Sequence, residues 1–197
     1  MDTKISDLTQ RMKDLEGEIE LEAARRFAEL RISVEGKKVR FEAEMLKKHR
    51  ELRTSVLRYL REANILTVLT APVIYSMIVP FALLDLMITL YQAICFPVYG
   101  IKKVKRGDYL MFDRARLRYL NIIEKVNCAY CSYGNGVVAY AREVSARTEL
   151  YWCPIKHARR VLGVHGHYTG FSDFGDAEAY RKGIEDLRKK LAELPGA

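Results

Sequence analysis

The amino-acid sequence predicts a mainly α-helical protein attached to a membrane, and three observations lead to this fold class. Residues 1–62 are rich in charge and carry apolar residues at helical spacing. Residues 65–100 form a long apolar block, and residues 101–175 contain most of the cysteine and histidine. No run of alternating apolar and polar residues stands out against these patterns. We therefore expect a helical arm, a membrane-embedded helical hairpin, a small helical metal-binding domain, and an amphipathic helix over residues 176–197.

The N-terminal arm carries apolar residues at alternating steps of three and four, which is the pattern of a coiled-coil seam. These residues are Ile5, Leu8, Met12, Leu15 and Ile19. The register restarts one residue late at Phe27, so the clean seam spans only about two heptads. The pattern predicts one or two long helices over residues 1–62. These helices either self-associate into a homo-oligomer or lie solvated along the protein or membrane surface.

The apolar block, residues 65–100, contains one charged side chain, Asp85. About 20 apolar residues cross a bilayer core, so the block is predicted to enter a membrane rather than to form a buried core helix. Pro80 lies near its middle and lacks a backbone donor, which predicts a break between two helices of a hairpin. The alternative is one tilted span kinked at Pro72 and Pro80. We expect Asp85 near the hairpin turn, or protonated and hydrogen-bonded to Thr89.

The charge on both sides of the block bears on how the block meets the membrane. Before it stand Lys47, Lys48, Arg50, Arg53, Arg58 and Arg61, and after it stand Lys102, Lys103, Lys105, Arg106, Arg114, Arg116 and Arg118. Lys and Arg concentrate on the cytoplasmic side of membranes, so both flanks are expected there. We expect an integral or monotopic membrane protein with cytoplasmic soluble parts. The position of its excess positive charge beside the apolar block, rather than the net charge of +8 itself, favours anionic lipid headgroups over nucleic acid as partners.

The sharpest local motif is C-x2-C-x21-C-x3-H, formed by Cys128, Cys131, Cys153 and His157. Three thiolates and one imidazole make a closed tetrahedral set for zinc. The motif requires a turn at residues 133–136, after which a helix brings the second pair back to the first. The alternative is that the cysteines are small buried apolar residues and His157 is a surface side chain.

Two more histidines, His165 and His167, extend the metal-ligand candidates. Either one could replace His157 or belong to a second site, and an open coordination position would make the site catalytic. Iron, or an iron–sulfur cluster, is the redox alternative to zinc. A nucleophilic pair of Cys153 with His157 or His165 is a further option.

Acidic residues are few in this basic region, and Glu124, Glu143 and Glu149 are the ones nearest the motif. We expect them to form salt bridges with Lys125, Arg142 or Arg147. The alternative is that they contact the metal ligands or act as a general base.

No phosphate loop, nucleophile elbow, H-E-x-x-H or dinucleotide fingerprint is present. The pattern favours a membrane-anchored zinc-binding scaffold, or membrane-organising protein, that self-assembles through its arm. The alternative is a membrane-bound metalloenzyme, or an iron or thiol redox protein, that uses the Cys/His cluster at the bilayer surface. Whether the chain is an enzyme is left open by the sequence.

Overall fold

The computed structural model describes residues 2–30, 32–35, 38–41 and 43–194, and it is mainly helical as predicted. The helices are α1 (Asp2–Glu29), α2 (Ala43–Glu51), α3 (Val56–Glu62), α4 (Ile65–Ser76), α5 (Ile78–Tyr99), α6 (Arg106–Tyr109), α7 (Ile122–Trp152) and α8 (Ala177–Glu193). Two strands, β1 (Ile32–Glu35) and β2 (Lys38–Phe41), complete the regular elements of the described residues. The chain divides into two compact units, Met1–Glu62 with Asp113–Val126, and Ala63–Phe112 with Asn127–Ala197.

The first unit departs from the predicted helical arm, because α1 ends at Glu29 and a β-hairpin follows. β1 pairs with β2 in antiparallel register, with Ile32 opposite Phe41. The sequence signal for this hairpin is the alternation of apolar and polar residues on both sides of Gly36, which itself lies outside the described residues. The prediction of one or two long helices over residues 1–62 was therefore wrong for the residues of this hairpin.

The apolar block forms one helix, Ile65–Tyr99, rather than a hairpin broken at Pro80. Its only interruption is Met77, between α4 and α5, and Met77 keeps right-handed helical dihedrals (φ −64°, ψ −11°). Pro80 is the third residue of α5, in the first helical turn, where its missing N–H needs no partner. The hairpin prediction was wrong. Of the alternative, a tilted span kinked at Pro72 and Pro80, the structure shows the single helix, but it places the interruption at Met77 and does not test the span.

At the end of α5 the chain reverses direction. Gly100 adopts a left-handed conformation (φ 68°), and the Ile101 amide donates to the Phe96 carbonyl at 2.9 Å. This is the arrangement that commonly caps helix C-termini, and glycine adopts it without a Cβ clash. The connector, residues 101–112, then leads back along α5.

Helix α7 runs beside α5 in the same direction. Tyr75 donates to Asn127 near one end, Gln92 donates to Tyr140 further along, and the rings of Tyr99 and Tyr151 stack at 5.3 Å near the other end. Because these contacts occur in the same order along the helix Ile65–Tyr99 and along α7, the two helices are parallel.

The turn predicted at residues 133–136 is absent, because those residues lie inside α7. The glycines allow close packing instead. A Cβ at Gly134 would stand 2.8 Å from the Phe81 ring, and one at Gly136 would stand 2.7 Å from the Tyr109 carbonyl oxygen. The prediction was wrong because glycine serves both turns and close contacts, and spacing alone does not separate these uses.

The core of the second unit lies between α5, the connector, α7 and the C-terminal segment. Its buried members are Phe96, Ile101, Val104, Leu110, Val137, Tyr140, Val144, Leu150, Phe171 and Leu191. The predicted C-terminal amphipathic helix is confirmed as α8, capped by Asp176, which accepts from the Ala179 amide at 2.9 Å. Residues 195–197 of that prediction lie outside the described residues.

Candidate functional site

The helix Ile65–Tyr99, named here the anchor helix, has two different faces along its second half. Its inner face, which packs against the protein, buries Asp85, Gln92 and Phe96 at helical spacing. Its outer face exposes Leu83, Leu86, Met87, Leu90, Ile94 and Val98. Only 6 % of its most apolar 18-residue stretch is buried. Among the described residues this is the one helix long and apolar enough to cross a membrane.

Asp85 on the inner face is 8 % exposed and forms a two-pronged ion pair with Arg106 of the connector. Arg106 donates through Nε at 2.8 Å and through Nη2 at 2.6 Å, and the Tyr133 hydroxyl donates to the same carboxylate at 3.1 Å. Thr89 is a further hydrogen-bond partner, but the ion pair with Arg106 takes the place of the protonated carboxyl that the sequence analysis expected. The position expected near a hairpin turn was wrong, since Asp85 lies inside α5.

Arg106 and Tyr133 keep the protonation states in which they donate to the Asp85 carboxylate. Hydrogen bonding to Asp85 raises the pKa of Arg106, which therefore stays cationic. Burial, followed by the hydrogen bond to Asp85, raises the pKa of Tyr133, which therefore stays a neutral donor. The sequence analysis missed both partners. The available signal was that a lone charge in an apolar helix requires a cation from a flanking segment.

Gln92, two helical turns after Asp85 on the same inner face, is a second polar contact that the sequence analysis missed. Its amide oxygen accepts from the Val104 amide at 2.9 Å, and its amide nitrogen donates to the Val104 carbonyl at 3.2 Å and to the Tyr140 hydroxyl. The Gln92 amide thus satisfies both the N–H and the C=O of Val104, as a neighbouring β-strand would. Together, Asp85 and Gln92 join α5, the connector and α7.

The structure does not bring the four predicted zinc ligands together. Cys128 and Cys131 lie within α7, whereas Cys153 and His157 follow its end. At 1.5 Å per residue, the continuous helix separates Cys128 from Cys153 by about 37 Å. Among the described residues, no group of three or more Cys, His, Asp or Glu is placed to hold a metal ion. Zinc binding stays an untested prediction, but the ligand set expected for it is not assembled.

The environments of Cys153 and His157 do not suggest a nucleophilic pair. Local desolvation, with a smaller contribution from Glu149, raises the pKa of the Cys153 thiol, which disfavours the reactive thiolate. The ring of His157 stacks on that of Tyr168 at 6.3 Å, and its backbone amide donates to the Tyr168 hydroxyl at 2.7 Å.

His165 and His167 are brought together, with ring centroids 5.9 Å apart, and each contacts a carboxylate of α7. His165 Nε2 lies 2.8 Å from Glu149, and His167 Nε2 lies 3.2 Å from Glu143. Glu143 also accepts from Arg147 at 2.8 Å, as the salt-bridge prediction expected. Glu143 and Glu149 therefore contact two of the candidate metal ligands, His167 and His165.

This cluster fastens the loop before α8 to α7. Burial alone would raise the pKa of Glu143, but hydrogen bonds from His167 and Arg147 outweigh it and hold that pKa below its ordinary value. The carboxylate therefore stays ionised as an acceptor for both groups. Glu124, the third acidic residue, accepts from the Asn121 amide at 2.8 Å in the cap of α7.

Replacing Arg106 by Ala should lower the free energy of unfolding by about 3 kcal/mol, because it leaves the Asp85 carboxylate buried without its cation. The double replacement Asp85→Leu with Arg106→Leu should recover most of this loss. Chemical denaturation in detergent measures both effects. Lys105→Ala, at the neighbouring exposed position, is the control and should change stability little. Equal losses for Lys105→Ala and Arg106→Ala would contradict the assigned role of the pair.

The continuity of α7 can be tested with a short bifunctional thiol reagent. In a Cys95→Ser background, which keeps every ligand of the motif, a reagent spanning about 8 Å should link neither Cys128 nor Cys131 to Cys153, across roughly 33–37 Å of helix. A zinc knuckle would place the same sulfurs about 4 Å apart on one ion. Intramolecular crosslinking, read by mass spectrometry after chelation, would show that α7 turns as the metal motif requires.

Comparisons with known proteins found no match. No protein-family model, no curated protein and no solved structure matches the chain. We therefore infer its function from the contacts, charges and exposed surfaces of its own residues.

Proposed function

We propose that this protein is a membrane-anchored scaffold, held at a bilayer surface by the outer face of the anchor helix. The observation that carries the proposal is the bare apolar face from Leu83 to Val98, opposite an inner face occupied by protein. A contiguous apolar surface of this kind is unfavourable in water and is typical of membrane or protein contact sites. The length and lack of charge of the helix favour lipid as what covers it.

Polar groups beside the anchor helix favour a helix lying in the plane of the membrane over one that crosses it. Arg106 stands at the level of Asp85, and Asn127 stands at the level of Tyr75, which donates to it. These two levels are about 15 Å apart along the helix. A bilayer core is about 30 Å thick, so a crossing helix would carry the Arg106 guanidinium or the Asn127 amide into hydrocarbon.

An in-plane helix also agrees with the basic flanks. Such a helix places its apolar face at the boundary of headgroups and acyl chains and leaves the rest of the protein in water. Lys102, Lys103 and Lys105 are exposed on the connector, where they would contact anionic headgroups. Both flanks then lie on one side, as the charge distribution predicts without any hairpin.

The assembly part of the proposal rests on α1. Four of its five predicted seam residues have described side chains, Leu8, Met12, Leu15 and Ile19, and they are 52–69 % exposed. The seam is therefore not covered by its own chain. A heptad seam is complementary to a copy of itself, so the partner proposed is α1 of a second chain.

The alternative of a membrane-bound metalloenzyme or redox protein has a smaller basis. It rests on the two imidazole–carboxylate pairs, since the three thiols of the motif are spread along and beyond α7. Each histidine Nε2 already contacts a carboxylate, so a metal or substrate would compete with that contact. The scaffold is therefore the function we favour.

Membrane attachment should depend on the outer face of the anchor helix. Replacing Leu86 and Ile94 together by Lys should weaken binding to liposomes at least tenfold, because two charges must leave water or pull the face out of the lipid. Co-flotation with liposomes measures this. Leu162→Lys, at a position 80 % exposed in the loop after α7, is the matched control and should bind like the parent. Unchanged flotation of the double variant would refute the assignment of this face.

Assembly should depend on the seam of α1. Replacing Met12 and Leu15 by Lys should reduce the oligomer to monomers, because like charges would face each other in a helix pair. Light scattering in detergent gives the mass. Gln10→Lys, on the opposite side of the same helix, should leave the oligomer intact. A parent protein that is already monomeric would remove α1 from the assembly role.

A further inference from the structure

The first unit contains a cavity of about 730 Å³, and every polar residue in its described lining is basic. Its cationic lining consists of Arg50, Arg53, Arg116, Arg118 and Lys125. The remaining lining is apolar and comes from Phe41, Leu46 and Ala115. The volume lies in the range of small-molecule sites, which is roughly 300–1,000 Å³.

The basic lining comes from two stretches that are far apart in the sequence. Arg50 belongs to α2 and Arg53 follows it, whereas Arg116, Arg118 and Lys125 come some sixty or more residues later in the chain. The four arginines are members of the two basic flanks of the apolar block. The sequence indicated charge on each flank, but the structure adds that both flanks line one cavity.

Four of the five cations that line the cavity have no salt bridge among the described residues: Arg50, Arg53, Arg118 and Lys125. The fifth, Arg116, already has an interaction within the protein, and none of the described lining residues is acidic. Like charges gathered around one space repel each other and favour binding of an anion there. A single carboxylate would neutralise only one of them.

An aromatic cluster, which includes the lining residue Phe41, connects the segments that form the two basic walls of the cavity. His49 is 8 % exposed and lies between the rings of Phe41 and Tyr119, at centroid distances of 5.1 and 5.0 Å. The cluster joins β2, α2 and the segment that carries Arg116 and Arg118. The two basic walls are therefore held in place before any ligand arrives, which lowers the entropic cost of binding.

We propose that this cavity binds a multiply charged phosphate-bearing anion. Guanidinium groups bind phosphate oxygens through two parallel hydrogen bonds, and four of the five cations are arginines. The apolar lining provides contact for the carbon part of a ligand. The same phosphate chemistry is supplied by the headgroup of a phosphorylated lipid or by a free polyphosphate. The site is separate from the outer face of the anchor helix and does not depend on the proposed function.

Calorimetric titration of the full-length protein in detergent with tripolyphosphate and with inositol hexakisphosphate tests this proposal. Replacing Arg50 and Arg118 by Gln should weaken binding at least tenfold. The matched control is Lys48→Gln with Arg61→Gln, which removes the same charge from the same unit outside the cavity and should change affinity less than twofold. Circular dichroism verifies that each variant keeps its helix content.

Vesicles distinguish the two sources of phosphate. Tighter binding to vesicles containing phosphatidylinositol bisphosphate than to phosphatidylserine vesicles of equal charge, with competition by inositol hexakisphosphate, assigns a lipid headgroup. Tripolyphosphate binding without that vesicle preference assigns a free ligand. Either result supports the site. Equal losses in the cavity and control variants, no binding of either probe, or tighter binding of a uridine decanucleotide that displaces both would overturn it.

Discussion

The structure of the second unit depends on pairing one charge inside an apolar helix. Asp85 would be costly to bury alone, and its ion pair with Arg106 draws the connector back along α5. Gln92 continues the same contact by pairing both backbone groups of Val104. Because the connector and α7 occupy this side of the helix, the opposite side is left apolar and bare. The ion pair thus determines which face of the anchor helix its own unit leaves uncovered.

This division of faces explains how a long apolar helix can have basic flanks on both sides in sequence. A crossing helix would separate the flanks and carry charges such as Arg106 toward the hydrocarbon. A helix lying in the interface keeps its inner polar contacts at the water boundary and buries only its outer face. The structure contributes the levels of Arg106 and Asn127 along the helix, which the sequence does not provide.

The sequence predicted the helical class, the apolar character of residues 65–100 and α8, because these depend on local composition, periodicity and capping. It failed where one residue type serves two purposes. Pro80 ends helices but is harmless in a first turn, and the glycines of α7 form close contacts in place of a turn. The Arg106 partner and the basic cavity join segments far apart in sequence, so no local pattern could place them. Apolar and polar residues alternate along β1 and β2, and the helical interpretation of residues 1–62 overlooked this pattern.

The central claim is that the anchor helix lies in the membrane plane with both flanks on one side. Epitope tags at the N- and C-terminal ends of the full chain, combined with protease treatment of sealed vesicles, measure this most directly. We predict that both tags are cleaved together in vesicles of one orientation and are protected together in vesicles of the other. Cleavage of one tag with protection of the other, in vesicles of a single orientation, would show that the helix crosses the bilayer and would contradict the account.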